Sequence, residues 1–122
     1  MDELIANVKK WAHDRNLIEG GCSKVQMLKC VSEVGELADN VNKQKDISDD
    51  IGDVLVTLVI LAAQYELSLE TCLRIAYDEI KDRKGVLLDG VFIRETDTSF
   101  EGAMAVLAAR RVHLPETLKE QA

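Results

Sequence analysis

The strongest hydrophobic signal is the run over residues 54–63, VLVTLVILAA, in which only Thr57 is polar. A helix with no polar face is buried on every side. The length available, residues 48–66, favours a helix over a strand. In a chain of 122 residues, one side of such a helix is best covered by another subunit, since a small domain buries a limited core. Ahead of it lie two amphipathic stretches. Leu4, Ile5, Val8, Trp11 and Ala12 recur at steps of three and four, which predicts a first helix capped by Asp2 and running to about Asn16. After the break at Gly20-Gly21, Ser23 and Gln26 have capping-box spacing. The helix they open runs to about Val41, with Met27, Val31, Val34, Ala38 and Val41 as its core face. Residues 40–48 are polar without periodicity and read as a loop, and Ser48 is the expected N-cap of the third helix.

Past the apolar run, Ser68 caps a fourth predicted helix that ends near Lys84, before Gly85. Leu69, Cys72, Leu73, Ala76 and Ile80 form its core face, and Tyr77, Lys81 and Lys84 a separate stripe. Residues 86–95 contain Val91-Phe92-Ile93 and read as extended chain or a short strand. Asp97-Thr98-Ser99 caps a last helix over residues 100–112, which Pro115 stops. The polar tail, residues 116–122, is expected to fray. The predicted architecture is all-α and four-helix-bundle-like, with a short extended segment and a C-terminal helix. A helical domain over residues 1–95 and an extension over 96–122 are the expected units.

Two acidic pairs stand out on this frame. Glu33 with Glu36, and Asp50 with Asp53, each have i, i+3 spacing, which places both carboxylates on one helix face. If the two helices are antiparallel neighbours, four carboxylates face one another. Such a group repels itself unless a cation joins it. Hard oxygen donors favour Mg2+ or Mn2+ over zinc. A simpler reading treats the line Gln26, Lys29, Glu33, Glu36 as solvated surface, and Asp49 and Asp50 as complements to a helix dipole. That accounts for neither Asp53, one turn further in, nor the pairing.

Glu33-Val34-Gly35-Glu36-Leu37 followed by Asp50-Ile51-Gly52-Asp53-Val54-Leu55 resembles the MazG-like all-α nucleoside triphosphate pyrophosphohydrolases. The similarity continues through residues 76–85, AYDEIKDRKG, and Gly90-Val91-Phe92-Ile93. It implies metal-dependent attack at the α-phosphate of a (deoxy)nucleoside triphosphate, giving a nucleoside monophosphate and pyrophosphate. It also implies metal ligands at Glu33, Glu36, Asp50 and Asp53, with Mg2+, or Mn2+, as the ion. Glu33, Glu36 and Asp53 are the candidate catalytic residues, and Glu36 is the candidate for taking the water's proton. Lys29, Lys81, Arg83 and Lys84 are candidates for the phosphates. Trp11 is a candidate for stacking the base, against a core role on an amphipathic helix. The resemblance further implies a homodimer or a homotetramer. The chain departs from the family pattern at Asp50, where Glu is usual and Asp49 lies adjacent, and at Asp78, where many relatives carry Asn.

Composition narrows the partners. A net charge of −7 from 22 acidic and 15 basic residues speaks against a nucleic-acid polymer, whose backbone needs clustered cations. It leaves a small phosphate ligand open, because a metal supplies positive charge locally. Cys22, Cys30 and Cys72 have no metal-ligand spacing and are expected as small core residues in a reducing, cytoplasmic setting. The start of the chain lacks a secretory pattern, and the apolar run is too short for a bilayer, so no membrane partner is expected. His13 and His113 are expected as ordinary surface residues. No P-loop or nucleophile elbow occurs. Two other functions fit the pattern less well: a non-catalytic helical interaction module, and a regulatory nucleotide binder without turnover.

Overall fold

The computed structural model describes residues 2–119. It is mostly helical: α1 (Asp2–Asp14), α2 (Ser23–Asn42), α3 (Ser48–Gln64) and α4 (Leu69–Ile80) precede a hairpin of β1 (Gly85–Leu88) and β2 (Val91–Arg94), then α5 (Phe100–Ala109) and α6 (Glu116–Lys119). The chain divides into two compact units, one up to Ile75 and one from Ala76 onwards.

In the first unit, α3 is the central element, and α1 and α2 both pack on it. Its apolar run explains this. Val59, Ile60 and Ala63 are buried, as are Ala12 of α1 and Cys30 of α2. Thr57, the one polar member of the run, is also buried. Its hydroxyl donates to the Val54 carbonyl at 2.6 Å, and its own carbonyl accepts from Gln26 Nε2 at 3.2 Å. Both groups are thereby satisfied, which a buried position requires. Burial of the run is incomplete in the single chain, since Leu55 remains exposed.

The largest departure from expectation is the rotation of α2. Its face toward α3 is Gln26, Cys30, Glu33, Leu37 and Asn40, all buried or half-buried, at steps of three and four. The expected core face, Met27, Val31, Val34, Ala38 and Val41, is exposed instead. The acidic line and the apolar stripe lie on different sides of one helix. Turning Glu33 toward α3 necessarily turns Val31 and Val34 away.

The caps differ too. Cys22 occupies the N-cap of α2, with no side-chain cap bond. Gln26, expected to reach back to Ser23, reaches across to α3 instead. Cys22 is exposed, which corrects the expectation of three core cysteines; Cys30 alone is fully buried. At α3, Ser48 does not cap. Asp46 Oδ1 accepts from Ser48 N at 2.9 Å and from Ser48 Oγ at 2.7 Å. Ser68 does cap α4, accepting from Thr71 N at 3.1 Å.

Three helices of this unit close alike. Asn16, Gln44 and Glu66 have φ of 60°, 56° and 58°. The following N–H reaches back to a carbonyl of the last turn: Leu17 to Ala12, Lys45 to Asn40, Leu67 to Ala62. These are αL closures normally signalled by glycine, and here none of the three residues is one.

The second unit has its own core. α4 stops at Ile80, short of the expected Lys84, and Gly85 begins β1 rather than ending a helix. Leu73 and Ile80, expected inside, are exposed. β1 and β2 pair antiparallel, Leu88 opposite Val91, around Asp89-Gly90. Both turn residues have positive φ, 49° and 82°, the two-residue turn whose twist matches a hairpin. Val86 packs with Phe100, Ala103, Met104 and Leu107 of α5, joined by Ile93 and Leu114. Burying Phe100 alone contributes about 1.5–3 kcal/mol. Arg110 grips Asp89 with two N–H groups, at 2.8 and 3.3 Å, pinning the turn to the end of α5. Asp97 accepts from Ser99 N at 2.9 Å ahead of α5. α5 closes at Ala109, and Pro115 precedes the short α6 where a frayed tail was expected. Residues 120–122 of that tail lie outside the described residues. No single helix among the described residues is long and apolar enough to cross a membrane.

Candidate metal and phosphate site

Glu33, Asp50 and Asp53 lie half-buried where α2 and α3 meet, whereas Glu36 is exposed. Glu33 is carried inward by the rotation of α2, and its side chain is only 13% exposed. Glu36 stands one turn on. Asp50 is in the first turn of α3, and Asp53 follows on the same side. Lys29 is the cation against this group, with Nζ 3.0 Å from Glu33 Oε1.

Glu36 and Asp53 each feel the charge of the opposite pair. Glu36 is raised above its ordinary value first by repulsion from Glu33, next by the proton the two can share, and further by Asp50. Asp53 is raised first by partial burial, then by Asp49, Glu33 and Asp50. Lys29 is raised chiefly by its bond to Glu33, with Glu36 and Asp53 adding to it. Each acidic pair therefore acts on the other across the α2–α3 interface. Among the described residues, no three of these groups converge closely enough to enclose one ion.

One group bridges the helices directly. Asn40 Nδ2 donates to Asp50 Oδ1 at 3.0 Å and to Oδ2 at 3.1 Å. Sequence reasoning placed Asn40 at the edge of a loop and gave it no role. The signal was its place one turn past Leu37 on the inward line, visible only once that line is known to face α3.

An apolar groove adjoins the acidic group. One hollow of about 310 Å³ between α1 and α3 is lined by Asp49, Gly52 and Asp53 together with Val8 and Val56. A second, of about 350 Å³, shares Val8 and Val56 and reaches Asn7 and Trp11. Trp11 is 47% exposed, so the core role open to it in sequence does not apply. The Arg15 guanidinium lies 4.6 Å from its ring centroid and donates to the Trp11 carbonyl at 2.9 Å. A larger cleft, about 830 Å³, lies elsewhere. It is formed by Lys9, Lys10 and His13 of α1 against the far end of α3 near Gln64. Ten residues of helix, about 15 Å, separate Ala63 there from Asp53, and neither acidic pair lines it.

The basic candidates Lys81, Arg83 and Lys84 belong to the second unit. They follow α4 in a turn rather than on its last helical turn, where the sequence placed them. Lys81 pairs with Asp78 at 3.5 Å, which offsets the carboxylate where relatives were expected to carry Asn. Arg83 is exposed.

The model of the MazG nucleotide pyrophosphohydrolase domain family matches residues 23–86, a stretch of 64 of the 122 residues. It takes in both acidic pairs, Asn40 and the basic turn. A protein of Haemophilus phage HP1 (strain HP1c1), described as an uncharacterized 18.2 kDa protein in the rep-hol intergenic region, is 46% identical over 66 residues. That stretch is 52% of this chain and 40% of the phage protein, so the chain covers less than half of this relative. No solved structure matches the chain at comparable significance. With more than half of its length, including the α2–α3 pair that carries the four carboxylates, matching one family, the chain belongs to the MazG nucleotide pyrophosphohydrolase family.

Proposed function

We propose that the protein hydrolyses (deoxy)nucleoside triphosphates between the α- and β-phosphates, releasing a nucleoside monophosphate and pyrophosphate, with a divalent cation held by Glu33, Glu36, Asp50 and Asp53. The observation that carries this reading is the placement of two acidic pairs on α2 and α3, with Lys29 3.0 Å from Glu33 and Asn40 of α2 bonded to Asp50 of α3, within the stretch that matches the family. The donor set fits a hard cation: four carboxylates and no imidazole or thiolate. Lys29, 3.0 Å from Glu33, is a positive charge already drawn to the same place. Mg2+ or Mn2+ there would supply charge neutralisation for the triphosphate and a more acidic water.

The chain's own residues do the rest. Glu36, whose carboxyl holds a proton more readily than usual, is suited to accept one from the attacking water. Lys29 turns from Glu33 toward phosphate once the carboxylates are otherwise neutralised. The groove from Asp53 to Trp11 takes the sugar and base, with the indole offering a face for stacking. Lys81, Arg83 and Lys84 are proposed to neutralise the outer phosphates. The exposed apolar face of α2 is proposed to be covered by a second copy, giving a homodimer or homotetramer.

A panel of nucleoside triphosphates with Mg2+ and Mn2+, read out as pyrophosphate, tests the activity. Glu33→Gln and Asp53→Asn are each expected to abolish release. Their metal-free thermal midpoints should not fall, because removing one of several like charges relieves repulsion. Full activity in both variants would overturn the site. Tight Mn2+ and nucleotide binding without any pyrophosphate would replace hydrolysis by a regulatory binding role.

A further inference from the structure

Asp50 is held from outside the acidic group. Asn40 Nδ2 lies at nearly equal distances, 3.0 and 3.1 Å, from its two oxygens. The amide thus sits near the bisector of the carboxylate, bonded to both sides of it. A carboxylate has about four lone-pair sites on its two oxygens, so this bond leaves capacity on each oxygen for another partner. Asn40 is itself fixed. Its carbonyl accepts from Lys45 N at 3.0 Å, closing the loop between α2 and α3. Its side chain is on the inward face of α2, one turn past Leu37. Asp50 adds its negative charge to those that bear on Glu36 and Asp53. The Asn40 amide is a hydrogen-bond donor that holds this carboxylate from the α2 side. The adjacent Asp49 is exposed, whereas Asp50 is half-buried and anchored.

We propose that Asn40 is a positioning residue that holds the Asp50 carboxylate in the acidic group against the repulsion of its neighbours, and thereby makes Asp50, rather than Asp49, the α3 first-turn ligand for a divalent cation. This rests on the metal-dependent reading above. Groups that orient metal ligands are worth about ten- to a hundredfold in metal affinity or activity.

The test uses the full chain and Mn2+ alone, with free ion followed by electron paramagnetic resonance well below the thermal midpoint. Asn40→Ala should weaken Mn2+ binding about tenfold or more. Asn40→Leu, similar in shape and a better helix former, should do the same and serves if the alanine variant does not fold. Asp50→Asn should weaken binding as well, and adding it to Asn40→Leu should cost little more, because both act through one carboxylate. Asp49→Asn should weaken binding far less than Asp50→Asn. A purely structural latch would lower the midpoint while leaving affinity for Mn2+ unchanged, and that result overturns the proposal. Independent, additive losses from Asn40→Leu and Asp50→Asn also overturn it. Wild-type protein that neither binds Mn2+ nor releases pyrophosphate would overturn the metal reading as a whole, and this inference with it. Wild-type protein that does both, with unaltered Asn40 variants, overturns this inference only.

Discussion

Glu36 keeps its proton at pH values where an isolated glutamate has lost it, chiefly because Glu33 stands beside it. The folded chain then binds more protons than the unfolded chain, from the ordinary value of 4.5 upward to the raised one. Stability falls as pH rises through that window. Asp53 works in the same direction from its ordinary 3.8. Asp39, Asp46, Asp89 and Asp97 work in the opposite one, each lowered mainly by a hydrogen-bond donor: Lys43, Ser48, Arg110 and Ser99. A wild-type profile alone therefore mixes both signs, and a difference isolates one. Metal-free wild type and Glu36→Gln should have similar midpoints below about pH 4. Above it, the wild type should fall progressively behind the variant. A constant difference across the range would show that Glu36 is not paired with Glu33. The sequence led to the expectation that two acidic pairs face each other, but neither shift was legible in it, because each depends on the burial and spacing that the packed helices impose.

Among the elements, the segment after α4 gives the sharpest contrast. The sequence placed Lys81 and Lys84 on a helix ending in glycine; the structure ends that helix at Ile80 and starts a strand at Gly85. A Cβ at Gly85 would collide with the Phe92 ring and the Ile93 carbonyl across the hairpin, so this glycine serves strand pairing. Lys81 now reads as either half of an exposed pair with Asp78 or a phosphate contact. An exposed pair contributes about 0.2–1 kcal/mol, to stability only. A cation on a desolvated phosphate is worth about 1.5–3 kcal/mol, or about ten- to a hundredfold in kcat/KM. Lys81→Ala should lower kcat/KM by at least about tenfold, with little change in thermal midpoint. Unchanged kcat/KM with a lower midpoint would leave phosphate recognition to Lys29.

For the whole molecule, the unpartnered surface is more informative than the core. Leu28 is 69% exposed and Val31 56%, on a helix whose other side is already occupied by α3. Exposed apolar residues in a contiguous stripe mark an association surface, and a second copy is the partner proposed here. Light scattering at micromolar concentration should give at least a dimer mass. Val31→Asp, on the outward face and away from the carboxylates that face α3, should reduce it. A monomer mass for the wild type would contradict the assembly.

The sequence by itself determined the helical class, the breaks between helices, the strandlike character around Val91-Phe92-Ile93, and the two acidic pairs. These follow from local periodicity and spacing, which the backbone obeys without help from distant residues. Only tertiary structure decided which face of α2 is buried. Both faces look plausible alone, and the choice depends on where α3 lies. The same holds for Trp11, whose exposure depends on the groove α1 forms with Val56, and for Gln26, drawn from its own helix cap to the Thr57 carbonyl. The helix ends near Asn16 and Glu66 were legible, but the left-handed closures at Asn16, Gln44 and Glu66 were not, because αL closures without glycine carry no sequence mark. Asn40 was hidden for a related reason. An amide at the end of a helix has many possible partners, and it acquires one only when the turn after it brings Asp50 within 3.0 Å.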